Sequence, residues 1–139
     1  MVEVISNNTD LIKLDGSYLE GGGQIVRTAL ALSMLTQQPF TIDKIRIGRP
    51  KPGLKAQHLT AIQALKQICQ AETNEVQLGS TELWFKPGKI KSGTYEMDIG
   101  TAGSITLLLQ ALILPCLFAP GKITLKVQGG TCGRGQASV

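Results

Sequence analysis

The sequence predicts an α/β (α+β) fold made of repeated βαβαββ units, each a four-stranded sheet packed against two helices. Alternating strand patterns and apolar helical patterns take turns over residues 1–90, and the same order restarts after Pro87-Gly88. The first helices of the two series begin about eighty residues apart, which favours a structural repeat. We therefore predict a complete unit at residues 1–90, an incomplete βαβ unit at 91–131, and an unstructured or aberrant tail at 132–139.

The first half of the complete unit is predicted as strand, helix and strand. Leu11–Leu14 is a short predicted strand, and the apolar run Ile25–Leu35 predicts a buried helix. Pro39 ends this helix because proline cannot continue it. Alternating apolar residues predict the second strand over Phe40–Ile47, and a proline-rich loop follows from Gly48.

The second half of the unit begins with a helix predicted over Leu54–Gln70. Two strands are predicted after it, at Glu75–Leu78 and Glu82–Lys86. The apolar stripe of the helix has the spacing of a buried face and holds five residues: His58, Ala61, Ile62, Leu65 and Cys69. Within that stripe His58 is expected to be an ordinary core histidine.

The incomplete unit repeats the first three elements. We predict a strand at Tyr95–Ile99, a helix at Ile105–Phe118 and a strand at Ile123–Val127. The helix is apolar on every side, whereas the strands of the incomplete unit cover one side. Several of its leucines are therefore expected to face water or another chain, which predicts self-association: Leu107, Leu108, Leu109, Leu112 and Leu114.

Gln110 is the polar exception inside the apolar helix Ile105–Phe118. A buried amide without a partner would cost about 1–3 kcal/mol. We therefore expect a hydrogen-bond partner, which could be a backbone group, a neighbouring strand or a ligand.

The segment Glu20-Gly21-Gly22-Gly23-Gln24 stands directly before the first helix. Its glycines allow a tight turn and a close approach to a ligand, and the first-turn N–H groups suit an anion. Arg27 lies where the helix dipole disfavours a cation, so it needs a negative partner, either Glu20 or a phosphate or both in turn. The structural alternative is a strand-to-helix turn held by a Glu20–Arg27 salt bridge.

The net positive charge of the chain is modest, but many of its cations lie in one short segment. The net charge of the 139 residues is +4, but five of the fourteen cations fall within twelve residues: Lys44, Arg46, Arg49, Lys51 and Lys55. Such a cluster is either a solvated face or a site for a polyanion. The 42% of apolar residues exclude wholesale disorder.

The cysteines and the apolar segments bear on the cellular location. Cys69, Cys116 and Cys132 are odd in number and lack C-x-x-C spacing, so neither a structural zinc site nor a disulfide framework is expected. The N-terminus lacks the pattern of a signal peptide, and the run Ile105–Phe118 is shorter than a membrane span. We therefore expect a cytoplasmic protein without a membrane segment.

Several motifs between Leu11 and Thr131 occur in the same order as in one known protein family: Asp15-Gly16, Glu20-Gly21-Gly22-Gly23-Gln24-Ile25-Val26-Arg27, Ile45-Arg46-Ile47-Gly48-Arg49-Pro50-Lys51-Pro52-Gly53-Leu54, Gln57-His58-Leu59-Thr60-Ala61, Leu78-Gly79-Ser80, Ile99-Gly100-Thr101-Ala102-Gly103-Ser104 and Gly129-Gly130-Thr131. Together they closely resemble the RNA 3′-terminal phosphate cyclases. The resemblance implies a ligase that uses ATP and a divalent metal such as Mg²⁺ to convert an RNA 3′-phosphate into a 2′,3′-cyclic phosphate. In this family a histidine is adenylylated, AMP passes to the 3′-phosphate, and the 2′-OH then expels AMP.

The resemblance also implies roles for individual residues. Glu20 would help to hold metal or substrate. Gln57 would orient a phosphate or ribose oxygen, and Gln110 would contact the nucleotide. Three arginines would grip the phosphates of the RNA end and of the nucleotide: Arg27, Arg46 and Arg49.

The sequence departs from the family at the nucleophile. The family's nucleophilic histidine lies far towards the C-terminus of a much longer chain, and His58 matches a different position. After Gly129-Gly130-Thr131 the sequence also leaves the family pattern. The resemblance thus implies a truncated chain that keeps the substrate cradle, lacks the catalytic nucleophile and is inactive alone.

Two other functions stay open at this point. One is a non-catalytic, cyclase-like protein that binds RNA or acts in ribosome assembly. The other is a carboxyvinyl transferase, which shares the repeated βαβαββ architecture.

Overall fold

The computed structural model describes residues 2–4, 11–18, 22–98 and 105–129, with the backbone alone for residues 2–4 and for Leu107. The described residues form seven strands and three helices, in the order β1 Val2–Val4, β2 Ile12–Asp15, α1 Gln24–Thr36, β3 Phe40–Asp43, α2 Ala56–Cys69, β4 Glu72–Thr73, β5 Leu83–Lys86, β6 Gly93–Asp98, α3 Ile105–Leu117 and β7 Ile123–Gln128. The predicted βαβαββ order is found from β2 to β5, and the predicted βαβ order from β6 to β7.

The first unit contains a four-stranded sheet in the order β2-β3-β5-β4, to which β1 adds an antiparallel edge strand. β2 and β3 are parallel, with Ile12 paired to Phe40 and Asp15 paired to Asp43. The connection between them is α1, as expected for a parallel pair. β5 is antiparallel to both β3 and β4. The α/β (α+β) fold class is therefore confirmed.

The core lies between this sheet and the helices α1 and α2. Alternate strand residues point inwards, so Phe40, Ile42, Leu83 and Phe85 are all buried. The rings of Phe40 and Phe85 stack with centroids 5.7 Å apart. The predicted inward stripe of α2 is confirmed, since all five of its residues are buried: His58, Ala61, Ile62, Leu65 and Cys69.

The second unit docks on the first through α3, which packs against α1 and α2. Leu108, Ala111 and Leu112 are buried in the shared core. Of the five leucines among which several are expected to face water or another chain, Leu108 and Leu112 do not, because helices of the first unit cover them. Leu109 is half-buried and Leu114 is exposed.

The other side of α3 remains an apolar surface in the described part of the chain. Four large side chains are exposed there and just beyond its end: Ile113, Leu114, Leu117 and Phe118. The parallel two-stranded sheet of β6 and β7 runs beside α3, from the pair Gly93–Ile123 to the pair Asp98–Gln128. Within the described residues no helix is long and apolar enough to cross a membrane.

Two strand predictions are corrected. The strand predicted over Phe40–Ile47 ends at Asp43, because Lys44 and Arg46 each have a φ of 50° and turn the chain out of the sheet. The strand predicted over Glu75–Leu78 is absent from that described segment. Side-chain bonds replace the backbone ladder at this point: Asn74 Oδ1 accepts the Trp84 N–H at 2.8 Å, and Ser80 Oγ accepts the Gln77 N–H at 2.9 Å.

Candidate phosphate-binding site

Two helix N-termini lie beside the same edge of the sheet. The paired residues Asp15 and Asp43 end the parallel strands β2 and β3, so the carboxyl ends of both strands lie together. α1 begins at Gln24 after the first of these strands, and α2 begins at Ala56 after the second. In α/β proteins this edge is where ligands usually bind.

Gly22 and Gly23 bring the start of α1 close to side chains from α2 and from the loop before it. A Cβ added to Gly23 would lie 2.4 Å from His58 Nε2 and 3.1 Å from Arg27 Nη1. A Cβ added to Gly22 would lie 2.8 Å from Arg49 Nη2. Gly22 and Gly23 therefore lie close to Arg27, Arg49 and His58, and a side chain at Gly23 would displace the imidazole.

His58 is buried with one ring nitrogen satisfied and the other free. Its side chain is 2% exposed, and Nδ1 accepts the Lys55 backbone N–H at 2.9 Å. Since Nδ1 accepts, the neutral ring carries its proton on Nε2, which is a donor without a partner among the described residues. The expected core position is confirmed, but the ring is not a satisfied core histidine: its free N–H lies against the glycine segment.

The charge state of His58 follows from its surroundings. Burial is the main cause that lowers its pKa to about 3, and three cations add to the effect: Arg27, Arg46 and Lys55. The ring is thus neutral at physiological pH, and its Nε2–H is available to donate a hydrogen bond without adding a positive charge.

Arg27 also has an unsatisfied donor. Its Nη2 donates to Gln24 Oε1 at 3.0 Å, whereas its buried Nε has no partner in the described parts of the chain. Burial lowers the pKa of this guanidinium, which shows that its charge is poorly solvated. Glu20, the predicted partner, lies outside the described residues, so the Glu20–Arg27 salt bridge stays a prediction.

Arg46 organises the loop that follows it. Its side chain is 7% exposed, and Nη1 donates to the Lys51 carbonyl at 2.8 Å and to the Gly53 carbonyl at 2.7 Å. Sequence reasoning gave Arg46 a direct grip on phosphate, but this nitrogen is occupied by the loop's own backbone. The guanidinium therefore fixes the path of the chain between Arg49 and Lys55.

A second glycine contact holds the same loop in place. Gly53 has a φ of +84°, and a Cβ there would lie 2.2 Å from the Gly79 carbonyl oxygen. The two segments also exchange backbone hydrogen bonds, since Leu54 donates to Ser80 at 2.9 Å and Gly79 donates to Leu54 at 2.9 Å. The Leu78-Gly79-Ser80 motif thus supports the start of α2.

The arginines and lysines around the site form no salt bridge with a carboxylate among the described residues. The Lys55 pKa is lowered by burial first and then by three like charges: Arg46, Arg49 and Lys51. The salt bridge found in the described parts of the chain joins Lys126 Nζ to Glu96 Oε1 at 3.7 Å, on the β6–β7 sheet. Such unpaired cations raise the local concentration of anions.

The two glutamines predicted to bind ligands differ in position. Gln57 is 7% exposed in the first turn of α2, beside His58. Gln110 is exposed, so the prediction that it is buried is wrong: α3 turns Leu108, Ala111 and Leu112 inwards and leaves Gln110 on another face. Its amide therefore has no burial cost to offset, and its nucleotide contact stays a prediction.

The role of His58 is the main feature that sequence reasoning missed. His58 is the third residue of α2 after Lys55, which is the position from which a side chain can reach back to the backbone before a helix. That spacing is visible in the sequence. The unpaired Nε2 is not, because it depends on how closely α1 and α2 approach each other.

Among the described residues, unpaired buried donors, clustered cations and the glycines Gly22 and Gly23 lie at two helix N-termini of an α/β fold, an arrangement that suits an anion such as phosphate. Residues 18–139 match the family model described as RNA 3′-terminal phosphate cyclase, and the chain belongs to this family. The carboxyvinyl-transferase alternative is therefore set aside.

Curated relatives carry the same name. The chain is 56% identical over 121 residues to the RNA 3′-terminal phosphate cyclase of Methanopyrus kandleri, a match that covers 87% of this chain and 34% of the relative. The proteins of that name from Archaeoglobus fulgidus and Methanosarcina acetivorans are each 54% identical over 87% of this chain, and 37% and 34% of their lengths are covered. The chain thus spans about a third of the length of these relatives.

The pKa of His58 leads to a prediction about stability. The pKa of an unfolded histidine is about 6.5, and in the folded chain it is about 3. Between these values the unfolded state binds the extra proton, so stability is full above pH 6.5 and falls as the pH is lowered towards 3. Between pH 7 and pH 5 this group should remove about 2 kcal/mol from the free energy of unfolding. Urea denaturation of the wild type and His58→Gln at both pH values measures it.

The glutamine variant keeps a donor and an acceptor but does not titrate. Between pH 7 and pH 5 the free energy of unfolding should therefore fall by about 2 kcal/mol less for the variant than for the wild type. Parallel pH profiles for the two proteins would contradict a buried neutral His58.

Two glycines offer a matched pair for testing the close approach. Gly23→Ala should displace His58 and weaken the binding of inorganic phosphate about tenfold or more, because the new Cβ would meet Nε2 at 2.4 Å. Gly48→Ala adds the same methyl group where nothing lies within 4 Å, and should leave binding unchanged. Isothermal titration calorimetry of both variants measures this difference, and equal affinities would refute the arrangement.

Proposed function

We propose that this chain forms the phosphate-binding part of an RNA 3′-terminal phosphate cyclase, which converts an RNA 3′-phosphate into a 2′,3′-cyclic phosphate with ATP. The observation that carries the proposal is a pair of buried donors on the two helices that approach each other at Gly23: Arg27 Nε and His58 Nε2 have no hydrogen-bond partner among the described residues. A buried donor left unpaired costs about 1–3 kcal/mol, and a phosphate oxygen would satisfy it.

Each side chain of the site would contribute differently. Arg27 and Arg49 carry charge to the edge of the glycine segment and would bind the phosphate oxygens. His58 would donate from Nε2, and Gln57 in the same helical turn would orient a phosphate or ribose oxygen. Because charge spreads over several oxygens during phosphoryl transfer, oriented donors of this kind stabilise the transition state.

Arg46 would act through the loop rather than on the phosphate itself. By holding the Lys51 and Gly53 carbonyls it determines where Arg49 and the Lys55 backbone N–H lie. We therefore propose that Arg46 is a positioning residue of the site.

ATP and a divalent metal are proposed as cofactors. The cation cluster fits the phosphates of a nucleotide, and the exposed Gln110 is available for a contact with it. Among the described residues no group of three or more His, Cys, Asp or Glu side chains could hold a metal ion. Glu20, to which the family resemblance gives a role in holding metal or substrate, is the residue we propose for Mg²⁺, and we assign the metal no step.

The covalent nucleophile is proposed to lie elsewhere. His58 is the single histidine of the sequence. Its Nδ1 lone pair accepts the Lys55 N–H and its Nε2 holds the proton, so neither nitrogen offers a free lone pair to the α-phosphate of ATP. This arrangement favours binding without adenylylation, and the same would be true of the alternative, a non-catalytic cyclase-like RNA-binding protein.

Self-association and a cytoplasmic location complete the proposal. The exposed side of α3, formed by Ile113, Leu114, Leu117 and Phe118, supports association because an apolar patch of this kind drives protein contacts. The location rests on the sequence arguments alone.

Arg27→Ala should weaken binding of a 3′-phosphorylated RNA oligonucleotide about ten- to a hundredfold, because a charge-assisted bond to the terminal phosphate is lost. Binding of the same RNA with a 3′-OH should fall much less. Fluorescence anisotropy with both RNAs measures the difference, and exposed Lys66→Ala serves as a control for general attraction. If Arg27→Ala lowers both affinities equally, Arg27 recognises only the RNA backbone.

The chain alone should form no stable covalent adenylate with Mg²⁺ and ATP labelled on the α-phosphate. The reason is that both nitrogens of its one histidine are committed. Gel electrophoresis of the reaction under denaturing conditions tests this. A labelled band that disappears in His58→Ala would make His58 the nucleophile and overturn its role as a donor.

A further inference from the structure

A separate apolar groove lies between α1 and β2, outside the phosphate-binding site. Its volume is about 340 Å³, and its walls include Leu14, Ile25, Ala29 and Leu32. Tyr18 stands at its edge. Tyr18 and Leu32 are each 52% exposed, so two large apolar side chains border an open groove.

The groove is continuous with the phosphate-binding site through Gln24. Gln24 lines the groove, and its Oε1 accepts from Arg27 Nη2 at 3.0 Å. Its Nε2 donates at 2.9 Å to Thr28 Oγ1, the next residue along the same wall. Gln24, Thr28 and Leu32 are spaced by four, so they form one row that extends about 12 Å along α1. Gln24 therefore places Arg27 next to the groove.

We propose that this groove binds the base of the nucleotide whose phosphate is held by Arg27 and His58. The inference rests on the proposed function and adds a base-binding subsite to it. A base has two apolar faces, which suit the walls formed by Leu14, Ala29 and Leu32. The exposed Tyr18 ring offers a stacking surface, and stacking of this kind accepts any base.

The polar rim of the groove favours a base over an apolar protein segment. Asp15 lies on this rim, and its Oδ1 accepts from the Ser17 backbone N–H at 2.9 Å and from the Ser17 hydroxyl at 2.5 Å. The amide of Gln24 and the hydroxyl of Thr28 lie on the same rim. An apolar segment would bury the Asp15 carboxylate without offering a further donor, whereas the N–H groups on a base edge can bond to it.

The test is an NMR titration of the 139-residue chain with three probes: inorganic phosphate, adenosine and adenosine 3′-monophosphate. Phosphate should shift the signals of Gly23 and Arg27 only. Adenosine should weakly shift those of Ala29 and Leu32. The nucleotide should shift both sets and bind about tenfold or more tightly than phosphate.

Variants separate the base from the phosphate. Tyr18→Ala should weaken nucleotide binding about tenfold and leave the affinity for inorganic phosphate unchanged. Leu32→Ser is a second variant in the same wall, expected to act in the same direction. Leu117→Ala removes a side chain that is 72% exposed at the end of α3 and should change neither affinity.

The outcomes distinguish the two proposals. If phosphate shifts the signals of Gly23 and Arg27 but neither adenosine nor the nucleotide shifts those of Ala29 and Leu32, the base subsite is wrong and the proposed function stands. If adenosine moves the groove signals while phosphate leaves Gly23 and Arg27 unmoved, the groove binds bases and the phosphate-binding function fails. Groove signals that shift with protein concentration alone would show a second copy in the groove and overturn the base subsite.

Discussion

The hydrogen bond from the Lys55 backbone N–H to Nδ1 of His58, 2.9 Å long, determines what the buried imidazole can do. It assigns the proton to Nε2 and turns that nitrogen towards the glycine segment at the start of α1. Because the ring stays neutral, the positive charges of Arg27, Arg46 and Lys55 do not repel it. A charged imidazole in the same place would need a counterion even when no ligand is bound.

That hydrogen bond depends in turn on the loop between Arg46 and Lys55, which other parts of the chain hold in place. Arg46 binds the Lys51 and Gly53 carbonyls, and Gly53 packs directly on Gly79, so the chain reaches Lys55 by a single path. The stability lost by burying Arg46 is partly offset by these two charge-assisted bonds. Among the described residues Arg27 Nε has no such partner, and an acceptor for it would lie where a phosphate is proposed to bind.

Sequence patterns predicted the elements well where a long apolar period defines them, as in α1, α2 and α3. They failed where a side chain replaces backbone pairing and where left-handed residues turn a strand out of the sheet. Asn74 ends β4 through its bond to Trp84, and the left-handed Lys44 and Arg46 end β3 early, neither of which changes the apolar alternation. Gln110 was misjudged for another reason: an all-apolar helix gives no sign of which side will be covered. Within the site, the glycine segment and the cations were predictable from the sequence. The different proposed roles of Arg27, which binds phosphate, and Arg46, which positions the loop, depend on tertiary contacts.

The site combines two kinds of attraction that act over different distances. The cations on the loop, Arg49, Lys51 and Lys55, attract any polyanion, and salt screens this attraction. The buried donors Arg27 Nε and His58 Nε2 act only on an oxygen that comes within hydrogen-bonding distance, and burial shields them from that screening. Under the proposed function, general attraction to RNA and selection of a terminal phosphate would therefore reside in different atoms. A backbone phosphodiester, flanked on both sides by ribose, would bring its oxygens less close to Gly23 than a terminal monoester. The depth of the buried donors would thus favour the end of an RNA over its interior.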